Sequence, residues 1–563
     1  MTAAPIISRS RPQRLFSPDT AKRSGSLRGG HPGLLSPGLS AYLEAGMEHQ
    51  AGRRAGLADA PWLRIGLGLL AAAALAGFWS RQQRLLGKFT YDDTFITLRY
   101  AENLARHGHL SFNLDDRIDG YTSPAWTLLL AAAIASGADG ESAALLLSKL
   151  WGLLGIMGAI GLARRLGASW FAAAAIAGLG TATTAGWVVW SAPGMETPFV
   201  GACVAMFLAA FAKGEPGSRW RAFMLLLTAA ARPECVILVI AGLCHDAYRL
   251  WQRPTAPGRD GRRRIIAVTV TLVAAFAAHW LYYGAPLPNT FYAKLSGIWA
   301  WRLGLKDLGE FLTTHGVGLG FIAALLLLTP WGSAPRFPAA AFISWSAAAW
   351  LAYAAAGGDY LEHHRFYQPQ VPAAFAMLAA LMRYPRRPLT KAPGMQVAAA
   401  LLTAALGVWL YISGRQALAT AWTGYLPGAT AYARRCRQVG EALFKAYPPG
   451  TSLSIRAAGI IPYLTRFRTF DTLGLNTREV ALHPGRVHPA DRGHGKEASA
   501  AQIVAWQPDL IVNHPSFYPR DESGELPPDM PPEYRAAGYT FACVSLEDGT
   551  WNCFYAHPRV KRR

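Results

Sequence analysis

Long runs rich in Ala, Leu, Ile and Trp, parted by short basic segments, fill the chain from Trp62 to Ser413. A helix needs about 20 apolar residues to cross a bilayer core, and fewer where tilt or neighbouring helices shield it. The pattern therefore predicts a polytopic α-helical membrane domain. Candidate spans cover residues 62–80, 143–162, 169–190, 198–212, 219–231, 235–247, 265–283, 311–331, 337–356, 369–382 and 396–413, eleven crossings in a bundle of about 11–12 helices. The apolar stretch 124–136 is short for a span and reads as a re-entrant or juxtamembrane helix.

The net charge of +21 raises the question of nucleic acid. The basic residues, however, sit between apolar runs: Arg164-Arg165, residues 213–221, residues 249–264, Arg336 and residues 383–391. That placement marks cytoplasmic loops and excludes nucleic acid as the partner. Residues 1–60, rich in Pro, Gly, Ser and Arg without apolar periodicity, read as a disordered basic cytoplasmic tail. No apolar run follows a short basic start, so a cleaved signal peptide is not expected. Residues 61–414 then form the transmembrane domain. Residues 415–563 form a soluble α/β domain on the periplasmic side of a bacterial inner membrane.

With the N-terminus inside, the polar segments left on the outer face form one set. They are residues 81–123, Ser191 to Glu196, Arg232-Pro233-Glu234, residues 282–294 and residues 357–365. Ionisable residues at such margins are functional candidates by default. In the first loop, Phe95, Leu98, Ala101 and Leu104 mark one helix face, and Asp92-Asp93 opens that helix, where negative charge is favoured. A helix cap accounts for one of the two aspartates as well as catalysis does.

The string from Tyr91-Asp92-Asp93 to Gly120-Tyr121-Thr122-Ser123-Pro124 resembles the first periplasmic loop of GT-C glycosyltransferases. The closest subgroup is that of the mycobacterial terminal β-1,2-arabinofuranosyltransferases and their proteobacterial relatives. Gly194-Met195-Glu196-Thr197, Ala231-Arg232-Pro233-Glu234, Tyr282-Tyr283-Gly284 with Pro288-Asn289-Thr290 and Ala293-Lys294, and Gly357-Gly358-Asp359 follow in the same order. In the soluble part, Gly459 with Pro462-Tyr463, Asp471 with Leu473-Gly474-Leu475, and Arg492-Gly493-His494 with Lys496 continue it.

The resemblance implies an inverting transfer of a sugar, such as arabinofuranose, from a polyprenyl-phosphate donor in the bilayer to a glycan or glycolipid acceptor. Asp93 or Asp92 would be the general base, the other orienting the acceptor or holding a metal. Lys294, Arg232 and Arg365 are candidates for the donor phosphate, although Lys294 and Arg365 also fit interfacial anchors. Tyr121, Glu196, Glu234, Asn289, Asp359 and His494 are candidate substrate residues. Glu196 and Glu234 fit ion pairs with Arg232 or Arg365 as well. Asp359, beside His363 and His364, could complete a divalent-metal site (Mg or Mn) with Asp92 or Asp93.

In the soluble domain, strands are expected at residues 451–455, 467–470, 510–512 and 539–545, with helices at 429–446 and 498–506. Cys203, Cys235 and Cys244 read as small buried residues. Cys543 and Cys553 flank Glu547-Asp548-Gly549 and pair only if register sets them opposite in an oxidising compartment. Two other classes compete with the enzyme. A transporter or flippase would show repeat symmetry and midplane polar sites, which the sequence lacks. A non-catalytic envelope or flagellar assembly protein on the same scaffold would not need both Asp92 and Asp93.

Overall fold

The computed structural model describes residues 61–252, 256–294, 300–329, 336–359, 361–382, 393–487, 495–512, 517–518 and 530–563. The chain divides into Met1–Ala72 and Ala73–Arg563, and every contact below lies within the second unit.

The helical part begins with α1 (Pro61–Leu86), α2 (Asp92–His107), α3 (Pro124–Ala135) and α4 (Gly140–Leu166). After a segmented stretch come α5 (Thr197–Ala212), α6 (Arg219–Ala229), α7 (Val236–Trp251) and α8 (Ala256–Tyr283). The short α9 (Asn289–Lys294) is followed by α10 (Ala300–Thr313), α11 (Val317–Leu327), α12 (Arg336–Ala355), α13 (Val371–Leu381) and α14 (Pro393–Thr423).

Among the described residues, α4, α8 from Arg259 and α12 are long and apolar enough to cross a membrane. Trp301–Thr313 and Val317–Leu327 would make a fourth crossing, bent by 85°. The expected even series of spans is thus corrected in two places. Residues 311–331 break at the 3₁₀ turn Thr314–Gly316. Residues 169–190 break into short pieces through a π-helical turn, Ala173–Gly178, and an extended Thr184. The Thr183 and Thr184 hydroxyls donate back to the Leu179 and Gly180 carbonyls there, the local bonding that bends apolar helices. The stretch at 124–136 is the short helix expected.

In α2 the acidic pair occupies the first turn, Arg106 and His107 the last, and Gly108 closes it in the left-handed region at φ 71°. Phe95, Leu98 and Ala101 are fully buried, as their spacing predicts.

Beyond α15 (Tyr425–Ala446) the C-terminal region is a mixed sheet with short helices. Its strands are β1 (Ser452–Ile455), β2 (Arg468–Asp471), β5 (Leu510–Val512), β6 (Phe517–Tyr518), β7 (Thr540–Ser545) and β8 (Trp551–Ala556). The order is β2-β1-β5-β8-β6, with β7 also on β8, and β3 (Arg486–Val487) pairs separately with β4 (Lys496–Glu497). β1 runs parallel to β2 and β5, whereas β8 is antiparallel to its partners. β3, β4 and β6 are absent from the sequence expectation, whereas β7 and β8 form the hairpin around Glu547-Asp548-Gly549 that it contains. The β7–β8 register sets Cys543 opposite Cys553, and the two form a disulfide. Cys203 and Cys235 are buried as expected, but Cys244 is exposed.

The C-terminal α/β region docks on the loops between helices through backbone groups. Arg99 donates to the carbonyls of Phe112, Pro462 and Phe467, each at 2.7 Å. The carboxylate of Asp92 accepts the N–H of Gly459 (3.1 Å) and of Ile460 (2.8 Å), which opens α16 (Ile460–Thr465). Lys496 donates to the Tyr292 carbonyl, and Arg478 to that of Tyr283. A methyl group at Gly459 would fall 1.9 Å from the Asp92 carbonyl oxygen, so only glycine admits this approach. Gly459→Ala is expected to lower stability by about 1–3 kcal/mol. Thermal unfolding of the purified protein checks this, and an unchanged midpoint would contradict the docking.

Candidate active site

Five segments converge around one phenylalanine ring. Asp93 lies in the first turn of α2, Glu196 caps the start of α5, and Arg232 and Glu234 sit in the turn between α6 and α7. Lys294 ends α9, while Asp359 and Arg365 follow α12. The Arg365 guanidinium lies 4.7 Å from the centre of the Phe366 ring, Lys294 Nζ 4.8 Å and Arg232 5.7 Å. Trp190 covers Arg365 from another side at 5.8 Å. Aromatic faces attract cations, and here one ring serves three.

The charges are matched pair by pair. Arg365 Nη1 donates to Asp93 Oδ2 at 2.9 Å, and its Nε lies 3.5 Å from Asp359 Oδ2. Arg232 bridges Glu196 (2.8 Å) and Glu234 (2.7 Å), and the Tyr353 hydroxyl donates to Glu234 at 2.5 Å. Arg365 is only 4% exposed at its side chain, whereas Asp93 is 22% exposed. Asp93 is therefore the carboxylate of this group most open to an incoming molecule. Among the described residues no carboxylate lies within ion-pairing distance of Lys294. Burial, reinforced by the Arg365 charge, lowers its ammonium to a pKa of about 8, against the opposing pull of Asp93.

The geometry separates the two adjacent aspartates that the sequence left equivalent. Asp92 turns away from Arg365 to the Gly459 and Ile460 amides. Burial raises its pKa to about 7, with the Ile460 N–H opposing. Asp359 spends one oxygen on the Leu361 N–H (3.1 Å) and the other on the Phe366 N–H (3.1 Å), which fixes the loop that carries Arg365. Burial raises its pKa, and Arg365 acts against that.

Two candidate substrate residues fall elsewhere. The Tyr121 hydroxyl meets that of Tyr283 at 3.3 Å in a buried aromatic cluster. Asn289 donates to the Gly474 and Leu475 carbonyls (2.7 and 3.0 Å), at the seam with the soluble domain. The Asn289 Nδ2 group holds that seam, and the Tyr121 hydroxyl is engaged with Tyr283. His494 lies outside the described residues.

The expected metal set is also rearranged. Asp359 is committed to amides and Asp92 to the docking seam, while His364 Nδ1 sits 2.7 Å from Asp307 Oδ1. Asp307, Glu310 and His364 bring their ligand atoms within 4.8 Å of one another and could hold a metal ion. Two carboxylates and an imidazole suit a first-row divalent ion. Asp307 also accepts the Asp359 N–H at 2.9 Å, so such an ion would stiffen the same loop. Asp307 escaped sequence reasoning because an acidic residue on an amphipathic helix carries no signal of its own.

The apolar helices and the C-terminal mixed sheet together make a multi-pass membrane protein with a fold like that of ArnT. The chain superposes on ArnT from Cupriavidus metallidurans in the apo state with a TM-score of 0.52 at 14% identity, covering 88% of this chain and 98% of that one. ArnT bound to undecaprenyl phosphate gives 0.49 at 14% identity, covering 87% and 98%. The apo oligosaccharyltransferase of Archaeoglobus fulgidus gives 0.40 at 13% identity, covering 73% and 65%. None of these three is an arabinofuranosyltransferase. Residues 424–557 match a family described as a domain of unknown function (DUF8728). No curated protein matches the chain.

The two aspartates should respond differently to amidation. Asp92→Asn turns an NH₂ toward one of the two amide donors and is expected to cost about 1–3 kcal/mol of stability. Asp93→Asn leaves Arg365 with Asp359 and should unfold near the wild-type temperature. Equal losses for both variants, measured by thermal unfolding, would contradict the division of roles.

Proposed function

We propose that this chain is a membrane glycosyltransferase that takes a sugar from a polyprenyl-phosphate donor and passes it to an envelope glycan or glycolipid. The observation that carries this reading is the juxtaposition of a partly open carboxylate, Asp93, with two buried arginines and the half-buried Lys294, which has no carboxylate within ion-pairing distance among the described residues. Asp93 takes the proton of the acceptor hydroxyl as that oxygen bonds to the anomeric carbon. The bond from that carbon to the phosphate oxygen breaks, and the electron pair leaves with polyprenyl phosphate. Attack opposite the leaving group inverts the anomeric centre.

Lys294 meets the phosphate directly, and Arg365 shifts toward it as the acceptor engages Asp93. Arg232, already clamped between Glu196 and Glu234, positions the site and adds its charge. Glu196 and Glu234 reach substrate only through that clamp, and Asp359 through Arg365. A metal at Asp307, Glu310 and His364 would add positive charge behind the Arg365 loop.

The reaction is placed on the periplasmic face, with residues 415–563 outside and residues 1–60 in the cytoplasm. The disulfide between Cys543 and Cys553 supports that orientation, since such bonds persist in oxidising compartments. The sugar is proposed as a pentofuranose such as arabinofuranose, on the strength of the first-loop resemblance.

Purified protein is expected to transfer label from one member of a panel of short-chain polyprenyl-phosphate sugars. Asp93→Asn should reduce that rate by about 10²–10⁴-fold. Donor binding that survives without transfer from any sugar in the panel would sink the enzyme reading.

Lys294 also predicts a pH dependence. Its lowered pKa of about 8 means the ammonium is present below that pH and is lost above it. Affinity for polyprenyl phosphate should therefore fall as pH rises through 8. Lys294→Arg, charged throughout, should flatten the curve when binding is titrated from neutral pH upward.

A further inference from the structure

The helices that frame the candidate active site have a second set of ends, and those ends also converge. The C-terminal ends of α5 and α7 meet the start of α6 and the start of α12 around a cavity of about 290 Å³. Its lining includes Lys213, Arg221, Arg249 and Arg336, together with His245. The carboxylates nearby are Asp246 and Glu215, so four cations face two anions. Asp246, fully buried, is consumed by Arg221, by the Gly217 N–H at 2.7 Å and by His245 at 3.2 Å. Lys213, Arg249 and Arg336 have no carboxylate within ion-pairing distance among the described residues. Basic helix ends serve topology in any multi-pass protein, but a topogenic charge needs no cavity. Here the charges from four separate helix ends are gathered around one.

The walls point to the kind of anion. Phe211 and Phe337 pack 5.3 Å apart at the same cavity, and Phe337 lies 4.2 Å from the His245 ring. Cations beside apolar rings, at the end of the membrane-length α12 and of the shorter α5, α6 and α7, match a lipid headgroup better than a free ion. The volume equals roughly ten waters, enough for a phosphodiester headgroup. Helix α5 has 16 residues and α12 has 20, which sets the cavity about 24–30 Å from the Arg365 cluster, one hydrocarbon thickness away.

We propose that this cavity binds the phosphate of an anionic phospholipid in the leaflet opposite the candidate active site. Lys213, Arg249 and Arg336 contact the phosphate, and the Arg221–Asp246 pair holds the wall. The assignment does not rest on glycosyl transfer, and either can fail without the other.

The test is lipid retention by the full chain in detergent, read by native mass spectrometry. Phosphatidylglycerol and phosphatidylcholine are offered in equal amounts. The wild type should retain phosphatidylglycerol at least about tenfold better. Combined Lys213→Gln, Arg249→Gln and Arg336→Gln should bring the two lipids to parity. The charge-keeping Lys213→Arg, Arg249→Lys and Arg336→Lys set should preserve the preference. Should the triple glutamine variant fail to fold, Arg336→Gln alone should give a partial loss. A wild type that does not discriminate, or a preference that survives all three glutamines, would overturn the proposal. So would inorganic phosphate that binds the cavity while the protein ignores headgroup charge, because the ligand would then be a free ion.

Discussion

A guanidinium sealed from water must meet negative charge, and Arg365 meets it twice, in Asp93 and in Asp359. That double contact ties the first loop to the segment after α12. It also sets the height of Phe366, on which Lys294 and Arg232 stack. With Asp359 locked to two backbone amides, the arginine has one firm partner and one that an arriving acceptor can draw away. The exposure difference between Arg365 and Asp93 follows from the same arrangement, the cation lying inside and the carboxylate at the rim. A buried site of this kind is stable only while each buried charge keeps a partner, and Asp359 remains with Arg365 when Asp93 is drawn away.

Much of this was legible in the sequence. The apolar runs pointed to the membrane domain, the ordered loop motifs to Asp93, Arg232, Lys294 and Asp359, and the outer-face segment 357–365 to Arg365, and these residues do come together. Local pattern could not assign Tyr121 and Asn289, because their partners lie far along the chain. Asn289 reaches carbonyls 185 and 186 residues away, and Tyr121 meets a tyrosine 162 residues away. Several motif residues of the soluble domain, Gly459 and Lys496 among them, hold the seam and lie apart from the Arg365 cluster. The breaks at Thr184 and at Thr314–Gly316 were hidden for another reason. Threonine and glycine inside apolar runs read as tolerated helix residues until tertiary packing decides otherwise.

The two charged clusters at opposite ends of α5, α7 and α12 differ in how their charge is balanced. At the Arg365 end each arginine has carboxylate partners, which keeps a dry site neutral enough to persist. At the Lys213 end three cations have no carboxylate within ion-pairing distance among the described residues, as suits a position bathed by headgroups. The helices between them are apolar, so the charge pattern by itself marks a slab about one hydrocarbon layer thick.

The contact between Asp92 and Gly459 spans 367 residues of sequence. At synthesis rates of roughly 5–20 residues per second, α2 exists for on the order of tens of seconds before the amides that receive its first carboxylate have been made. During that interval Asp92 has only water to bond, and the first loop has no floor. Every unfinished chain therefore carries an open first loop, and the loop closes only after Gly459 and Ile460 have been made and docked. The seam then acts as a clock on maturation as well as a support for the site.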